Sequence, residues 1–418
     1  MQSAILSTKK NIYAWSITLL GALFFFFALF QCTMMTSLQQ NLLLSFNADA
    51  TKIGILSACY FYANVIFFIP AGIILDKFSI KKIYLINMAI SIIGLLLLSI
   101  ATNLYIAALG RFMSGIMMAF ALMACLKLAS LWIEKEKMPI ASSLIITVGT
   151  LGGMASHTPM SILIHSFSWR IAVQIVAFIG LLLLILFAFV INEPPSQVKL
   201  KKENKLPIKI MLKKAISIKA NWKLGFFTCL LNLPMSILGA LFGITFLIST
   251  YSINSITASS IVSMLFLGMI AGSPFFGWLS YKIKESKKAM IMGSTTCLFL
   301  VLCLLMFNIP SIIILHILFF LIGFTCSAQV LSYPIIATNN PPEIASTAMS
   351  FACIIIMGIG YGIGLPLVGY LLDLFSSNTL LYSMVAYKKA FSLIPIGIFI
   401  SLIIAIFYKE KSIKNNSL

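Results

Sequence analysis

Arg111 is the side chain whose chemistry fits its sequence surroundings least. Uncharged residues run for 28 positions before it and 15 after it. A guanidinium at the centre of a bilayer costs about 2.5 kcal/mol or more, so it needs a wet cavity, a polar partner or the membrane interface. Facing a cavity, it can grip a carboxylate through two parallel N–H donors or modulate a nearby proton site; snorkelling to the interface is the alternative. Lys127 lies 16 residues further on, about 24 Å along a helix, so the two cannot hold one small solute together. Lys127 either reaches the headgroups near Trp132 or makes the cavity attractive to anions. His157, next to Pro159, and His316 can bind a solute or exchange protons, or can pack helices by donating to a carbonyl. Uncharged polar groups complete the candidate cavity: Gln31 with Thr33 and Ser37, Tyr60 with Asn64, Asn232, and Gln329 with Tyr333. Partners four residues apart share a helix face, and can either contact a solute or join helices.

These residues do not assemble an enzyme. The three histidines are dispersed, no HExxH set occurs, and the eight cysteines form no CxxC pair. The cysteines all fall in apolar stretches and read as small buried hydrophobes. No metal, redox centre or other cofactor is expected. Acids are equally scarce within the apolar stretches: Asp76, Glu343 and Asp373 sit near their ends, and Asp49 stands where it can cap a helix. That leaves no obvious carboxylate inside an apolar stretch to exchange a proton, so the histidines are the candidates for that task.

The elements that position these groups are set by composition. Hydrophobic residues make up 61% of the 418 and charged residues 9%, against roughly a quarter charged in soluble proteins. Apolar runs repeatedly reach the ~20 residues needed to span a bilayer. Twelve such runs are predicted, near Tyr13–Leu38, Gly54–Leu75, two between Lys82 and Ser130, Pro139–Ile164 and Ile171–Ile191. The other six lie near Leu224–Leu247, Ile256–Ser280, Ala289–Phe307, Ser311–Ile336, Ala345–Leu372 and Ala390–Tyr408. They must be helices, because an open sheet edge in lipid strands backbone donors and acceptors. The first run is too long for a cleaved signal and is expected to be retained.

The runs divide into residues 1–192 and 222–418, two halves of six spans. A basic linker, 193–221, joins them, with eight lysines between Lys199 and Lys219. Part of it, Lys205–Lys219, can form an interfacial amphipathic helix or a plain tether. With alternating spans, 23 lysines and arginines fall on one side and 4 on the other. Both termini are therefore expected in the cytoplasm, and the net charge of +19 reads as a topology signal rather than a nucleic-acid surface.

Several motifs follow from this frame. Between spans two and three the chain reads Gly72-Ile73-Ile74-Leu75-Asp76-Lys77-Phe78-Ser79-Ile80-Lys81-Lys82, and the corresponding place in the second half reads Gly277-Trp278-Leu279-Ser280-Tyr281-Lys282. Asp76 can cap a neighbouring helix or pair with a base, closing the two halves on one side; ordinary capping beside topology charges is the plainer reading. Gly358, Gly360, Gly362 and Gly364 alternate before Pro366, a spacing that favours a kinked helix over one packing seam.

Together with Gly110-Arg111-Phe112-Met113-Ser114-Gly115, the glycines and Pro159 of span five, Trp169-Arg170, and Pro366 through Asp373, these motifs resemble the major facilitator superfamily over almost the whole chain. The first half, including Ala121–Ala129, resembles a bacterial branch distantly akin to lysosomal dipeptide carriers. Ser79, Ile80, Ser114 and Tyr281 depart from the family pattern. The resemblance implies an all-α integral membrane protein of twelve transmembrane helices in two bundles. One copy supplies both bundles, so a monomer is expected, and the lysine-, isoleucine- and asparagine-rich sequence with short loops points to a bacterial inner membrane. The resemblance also implies gating by Gly72, Asp76, Lys77, Lys81, Lys82, Gly277 and Lys282, and bending at Gly360, Gly364 and Pro366. The expected activity is alternating-access transport of a small zwitterionic or anionic organic solute, such as an amino acid, peptide, carboxylate or siderophore, with protons as a candidate coupling ion. A receptor or structural protein derived from a transporter is the alternative.

Overall fold

A computed structural model describes the backbone of residues 2–192, 208–376 and 382–408, with side chains from Tyr13 onward except at Asp76, Lys135, Pro139, Ile208, Lys209 and Pro342. Among the described residues every regular element is helical. Twelve spans follow in order: α1 Tyr13–Phe46, α2 Ala50–Leu75, α3 Ile80–Ile100, α4 Leu104–Trp132, α5 Ile140–Ser166 and α6 Trp169–Val190. The second set is α7, Lys219–Leu231 bent by 47° into Met235–Tyr251, then α8 Ser255–Ile283, α9 Ser286–Met306, α10 Ile312–Asn339, α11 Glu343–Leu374 and α12 Met384–Phe407.

Polar punctuation in the sequence becomes helix capping. The side chains of Asp49, Ser79, Asn103, Ser168, Asn254, Ser311 and Ser383 each accept a hydrogen bond from the backbone N–H three residues on, satisfying donors that a helix start leaves open. The α1 helix runs to Phe46, past its expected end at Leu38, with a break at Met34. Of the linker, the described part forms a helix at Ile208–Ser217 with Ala215 buried; residues 193–207, with four of its eight lysines, lie outside the described part.

Each half is held by glycine-mediated approach of backbones, the device that replaces hydrophobic driving force inside lipid. A side chain at Gly115 of α4 would overlap the Tyr60 carbonyl of α2, and one at Gly323 of α10 would overlap the Leu265 carbonyl of α8. The same pairing, fourth helix on second, therefore recurs in both halves. Two helices of the second half are interrupted by wide π-type turns, Met235–Phe242 in α7 and Ile356–Ile363 in α11. The latter spans Gly358, Gly360 and Gly362, so the alternating glycines mark a deformed helix. Such turns concentrate at functional positions because they leave backbone groups free to repartner.

The halves meet along α2 with α11, α5 with α8, and α1 with α7. Because spans alternate, one end of this seam lies at the face carrying Lys77, Lys81, Lys82 and Lys282, here the basic face; the other is the far face.

Candidate functional site

Arg111 sits one turn before Gly115, where α4 presses closest on α2, and that contact buries its side chain completely. Its Nη1 donates to the Gln31 carbonyl at 2.7 Å, and the guanidinium lies 4.6 Å from the centre of the Tyr60 ring. Nε and Nη2 are also buried but have no hydrogen-bond partner. A buried N–H without an acceptor costs about 1–3 kcal/mol, more on a charged group, so these two donors define an unfilled demand for an acceptor. Gln31 is itself fixed, accepting from Ser91 Oγ at 2.9 Å, and Tyr60 donates to the Ala28 carbonyl at 2.7 Å. One turn from Tyr60, Asn64 is buried with its Oδ1 unpartnered.

A second polar group faces from the other half. Gln329 Nε2 donates to Asn232 Oδ1 at 2.9 Å, and Asn232 Nδ2 donates to the Tyr361 hydroxyl at 3.2 Å. Tyr361 stacks on Phe61, ring centres 4.3 Å apart and 25° from parallel. Phe61 adjoins Tyr60, so the stacked rings join the Arg111 group to the Asn232 group across the seam. The deformed turn of α11 carries Tyr361 into this position, and Tyr333 meets Cys353 Sγ nearby on α11.

The other expected site residues are held elsewhere. Lys127 donates to the Leu75 carbonyl, capping the end of α2. His316 is placed with Nδ1 2.8 Å from the Ile312 carbonyl and Nε2 2.9 Å from Ser260 Oγ, joining α10 to α8. His157 stands in the seam itself, between α5 and α7.

The two ends of the seam differ. At the far face Asp373 of α11 accepts from the N–H groups of Ala50 (3.1 Å) and Thr51 (2.8 Å) and from the Thr51 hydroxyl. The carboxylate thus sits on the positive end of α2. Tyr382 donates to Asp373 at 2.5 Å and accepts from Ala50 N–H at 2.9 Å. Burial and the bond to Asp373 push the Tyr382 phenol above its usual range. Gly54 packs flush on α11: an added Cβ would be 2.8 Å from the Leu365 carbonyl. Next to this closed end lies a cavity of about 250 Å³ lined by Ser37, Ser161, His165 and Thr245 among others.

At the basic face an added Cβ at Gly72 or Gly277 would meet nothing within 4 Å. Lys77 is exposed, Lys81 reaches Asn192 Oδ1 at 3.4 Å, Lys82 N–H donates to Ser79, and Lys282 lies 4.9 Å from the Trp278 ring centre. The Asp76 side chain is outside the described part. Hydrogen bonds between the halves, among described residues, run from mid-depth (Tyr62 to the Gly362 carbonyl, 2.8 Å) to the far face. Among the described residues the seam is therefore tied at the far face and left untied at the basic face. Sequence reasoning did not single out Tyr361 or Tyr382, and treated Asp373 only as a motif end; for Asp373 the available signal was an acid at a span end on the face poorest in charge.

Known proteins resemble this chain in sequence and in fold. The family model described as Major Facilitator Superfamily matches residues 18–352 and 224–417. The chain is 25% identical over 380 residues to the "Uncharacterized transporter YybO" of Bacillus subtilis (strain 168), covering 84% of this chain and 85% of the relative. It is 27% identical over 246 residues to the "Sialic acid transporter NanX" of Escherichia coli (strain K12), covering 56% and 57%. Among solved structures it resembles a bacterial homolog of the human lysosomal transporter Spinster, inward-facing and unoccupied (TM-score 0.76, 15% identity, 94% of this chain and 95% of that one). It also resembles the nucleoside transporter NupG (0.75, 16%, 96% and 100%) and a D-xylose-proton symporter (0.74, 14%, 95% and 98%). At such identities these structures establish the fold.

Proposed function

The chain belongs to the Major Facilitator Superfamily and is a membrane transporter, and from that premise we propose that it carries a small organic anion or zwitterion by alternating access. The observation that carries this reading is the Arg111 guanidinium, buried without a carboxylate partner and with two N–H donors unclaimed. A solute carboxylate supplies both the charge and the bidentate acceptor. Gln31, Tyr60 and Asn64 bind from the first half, and Asn232, Gln329 and Tyr361 from the second. One relative is named for sialic acid, a carboxylated polyol, and such a solute matches one cation surrounded by neutral amides and hydroxyls.

Because the solute contacts both halves, its binding biases their rocking through its differential affinity for the two states. Asp373 closes the far gate in this scheme. Gly72, Asp76, Lys77, Lys81 and Lys82, with Gly277 and Lys282, form the opposite gate, while Gly360, Gly364 and Pro366 let α11 bend between states. We place the protein in a bacterial cytoplasmic membrane as a monomer, with the basic face in the cytoplasm.

The test is a flux screen in proteoliposomes with acidic sugars, amino acids, short peptides and simple carboxylates. For the solute that moves, Arg111→Gln is expected to lower uptake at least about a hundredfold, as for loss of a buried charged pair. Arg111→Lys is expected to retain a small part, since a point charge replaces a planar fork. Unchanged uptake by Arg111→Gln across concentrations would remove the residue from the site. Saturable binding without flux would replace the carrier by a receptor.

A further inference from the structure

His157 lies where two interrupted helices cross. In α5 the helix stops at Ala155 and restarts at Thr158, leaving His157 with non-helical backbone angles; opposite it runs the wide turn of α7 containing Gly239. The imidazole is buried, and both its nitrogens are aimed at carbonyl oxygens, Nδ1 at Gly153 (2.8 Å) and Nε2 at Gly239 (2.9 Å). The second contact crosses from one half of the carrier to the other.

A neutral imidazole has one N–H, so in either tautomer a nitrogen lone pair points at a carbonyl oxygen and repels it. With the proton on Nε2, Nδ1 can accept only the longer 3.3 Å contact from Ser156 Oγ while still facing Gly153. The imidazolium donates to both carbonyls and satisfies the geometry completely. Its remaining neighbours are neutral. They are Thr33 and Ser37 of α1, the Phe266 ring of α8 at 5.0 Å, Ser263 of α8 beside Thr158, and the Gly239 backbone, which also accepts from Thr36 at 2.7 Å. Among the described residues no carboxylate or second base contacts the ring. His157 is thus held by two interactions whose number depends on one proton.

We propose that His157 is a proton-binding site that couples protonation to closure of the far gate. A proton delivered by hydronium, which leaves as water, lets the ring donate to the Gly153 and Gly239 carbonyls at once and holds α5 on α7. Its loss sets one nitrogen lone pair against a carbonyl oxygen, strains this crossing of the halves and lets the far side open. When the seam parts, the vestibule lined by Ser37 and Ser161, one turn from His157, connects the ring to water. This places a coupling proton in a chain whose spans lack a central carboxylate, and it rests on the carrier reading above.

The test follows far-side opening without any solute. Ile244, buried in the seam beside the far cavity, is replaced by Cys in protein held in nanodiscs. Its labelling by a maleimide is followed by mass at pH 5.5 and pH 8. Rates are normalised to Phe167→Cys, an exposed reference, and the native cysteines are subtracted as background. With His157 present, normalised labelling is expected to rise about tenfold from pH 5.5 to 8, the effect of about one hydrogen bond. In His157→Gln and His157→Met the slope is expected to vanish at a high rate. A flat native profile, a reversed slope, or a slope surviving in both variants would overturn the proposal. The native profile needs no variant, so misfolding of either substitution leaves it decisive. Failure to find any transported solute bears on the carrier reading; loss of the slope with Arg111-dependent flux intact bears on His157 alone.

Discussion

The two ends of the seam are built by different means. At the far face a carboxylate, a phenol and two helix N–H groups converge within a few residues, and Gly54 lets α2 and α11 touch. At the basic face the residues with the strongest motif signal, Gly72 and Gly277, face open space, surrounded by lysines. Polar, directional contacts hold the closed end; among the described residues no such contact joins the halves around Gly72 and Gly277. An open gate costs little to maintain, whereas a closed one must compensate for removing its polar groups from water. The far seam is thus the place where substitutions shift the equilibrium most.

The largest effect is expected from filling that seam. Gly54→Leu drives a branched side chain into the Leu365–Pro366 backbone of α11, and overpacking of this kind costs about 1–3 kcal/mol. The closed state should lose about ten- to a hundredfold in population, with faster labelling of Ile244→Cys and slow solute turnover. Gly72→Leu should leave far-side labelling nearly unchanged, since nothing stands near it in this state. If the two variants behaved alike, the contrast between the ends would fail.

Asp373→Asn comes next. It keeps the shape and one acceptor but removes the charge from the start of α2, a contribution of up to ~2 kcal/mol in partly buried geometry. Far-side labelling is expected to rise about tenfold. Equal labelling in variant and native protein would show that the carboxylate is no part of the gate.

Much of this frame was legible beforehand. Long uncharged runs specify the spans, because leaving them in water or placing charge in lipid is costly, and isolation of Arg111 within such a run marks it as a residue needing a partner. The alternating glycines from Gly358 announced a deformed α11. What could not be read were contacts across the seam. Asp373 meets Thr51, Tyr361 stacks on Phe61 and His157 faces Gly239 only after two separately packed halves meet, and no local period encodes that meeting. Lys127 and His316 show the converse: their residue types suit a cavity, but the available carbonyls and Ser260 are nearer. Motif strength was also a poor guide to state, since the Gly72 region stands at the open end.

Tyr382→Phe should give the smallest of these effects. The phenol donates to Asp373 and accepts from Ala50 N–H, yet Asp373 already accepts from Ala50 and Thr51, so the carboxylate keeps its hold on α2 without it. Only about one neutral bond is lost, ~0.5–1.5 kcal/mol, and far-side labelling should rise about threefold. Combined with Asp373→Asn, the double variant should label no more than about twofold faster than Asp373→Asn alone, because the hydroxyl acts mainly through that carboxylate. Fully multiplicative effects would mean that Tyr382 holds α2 independently, and the far gate would then have two separate locks.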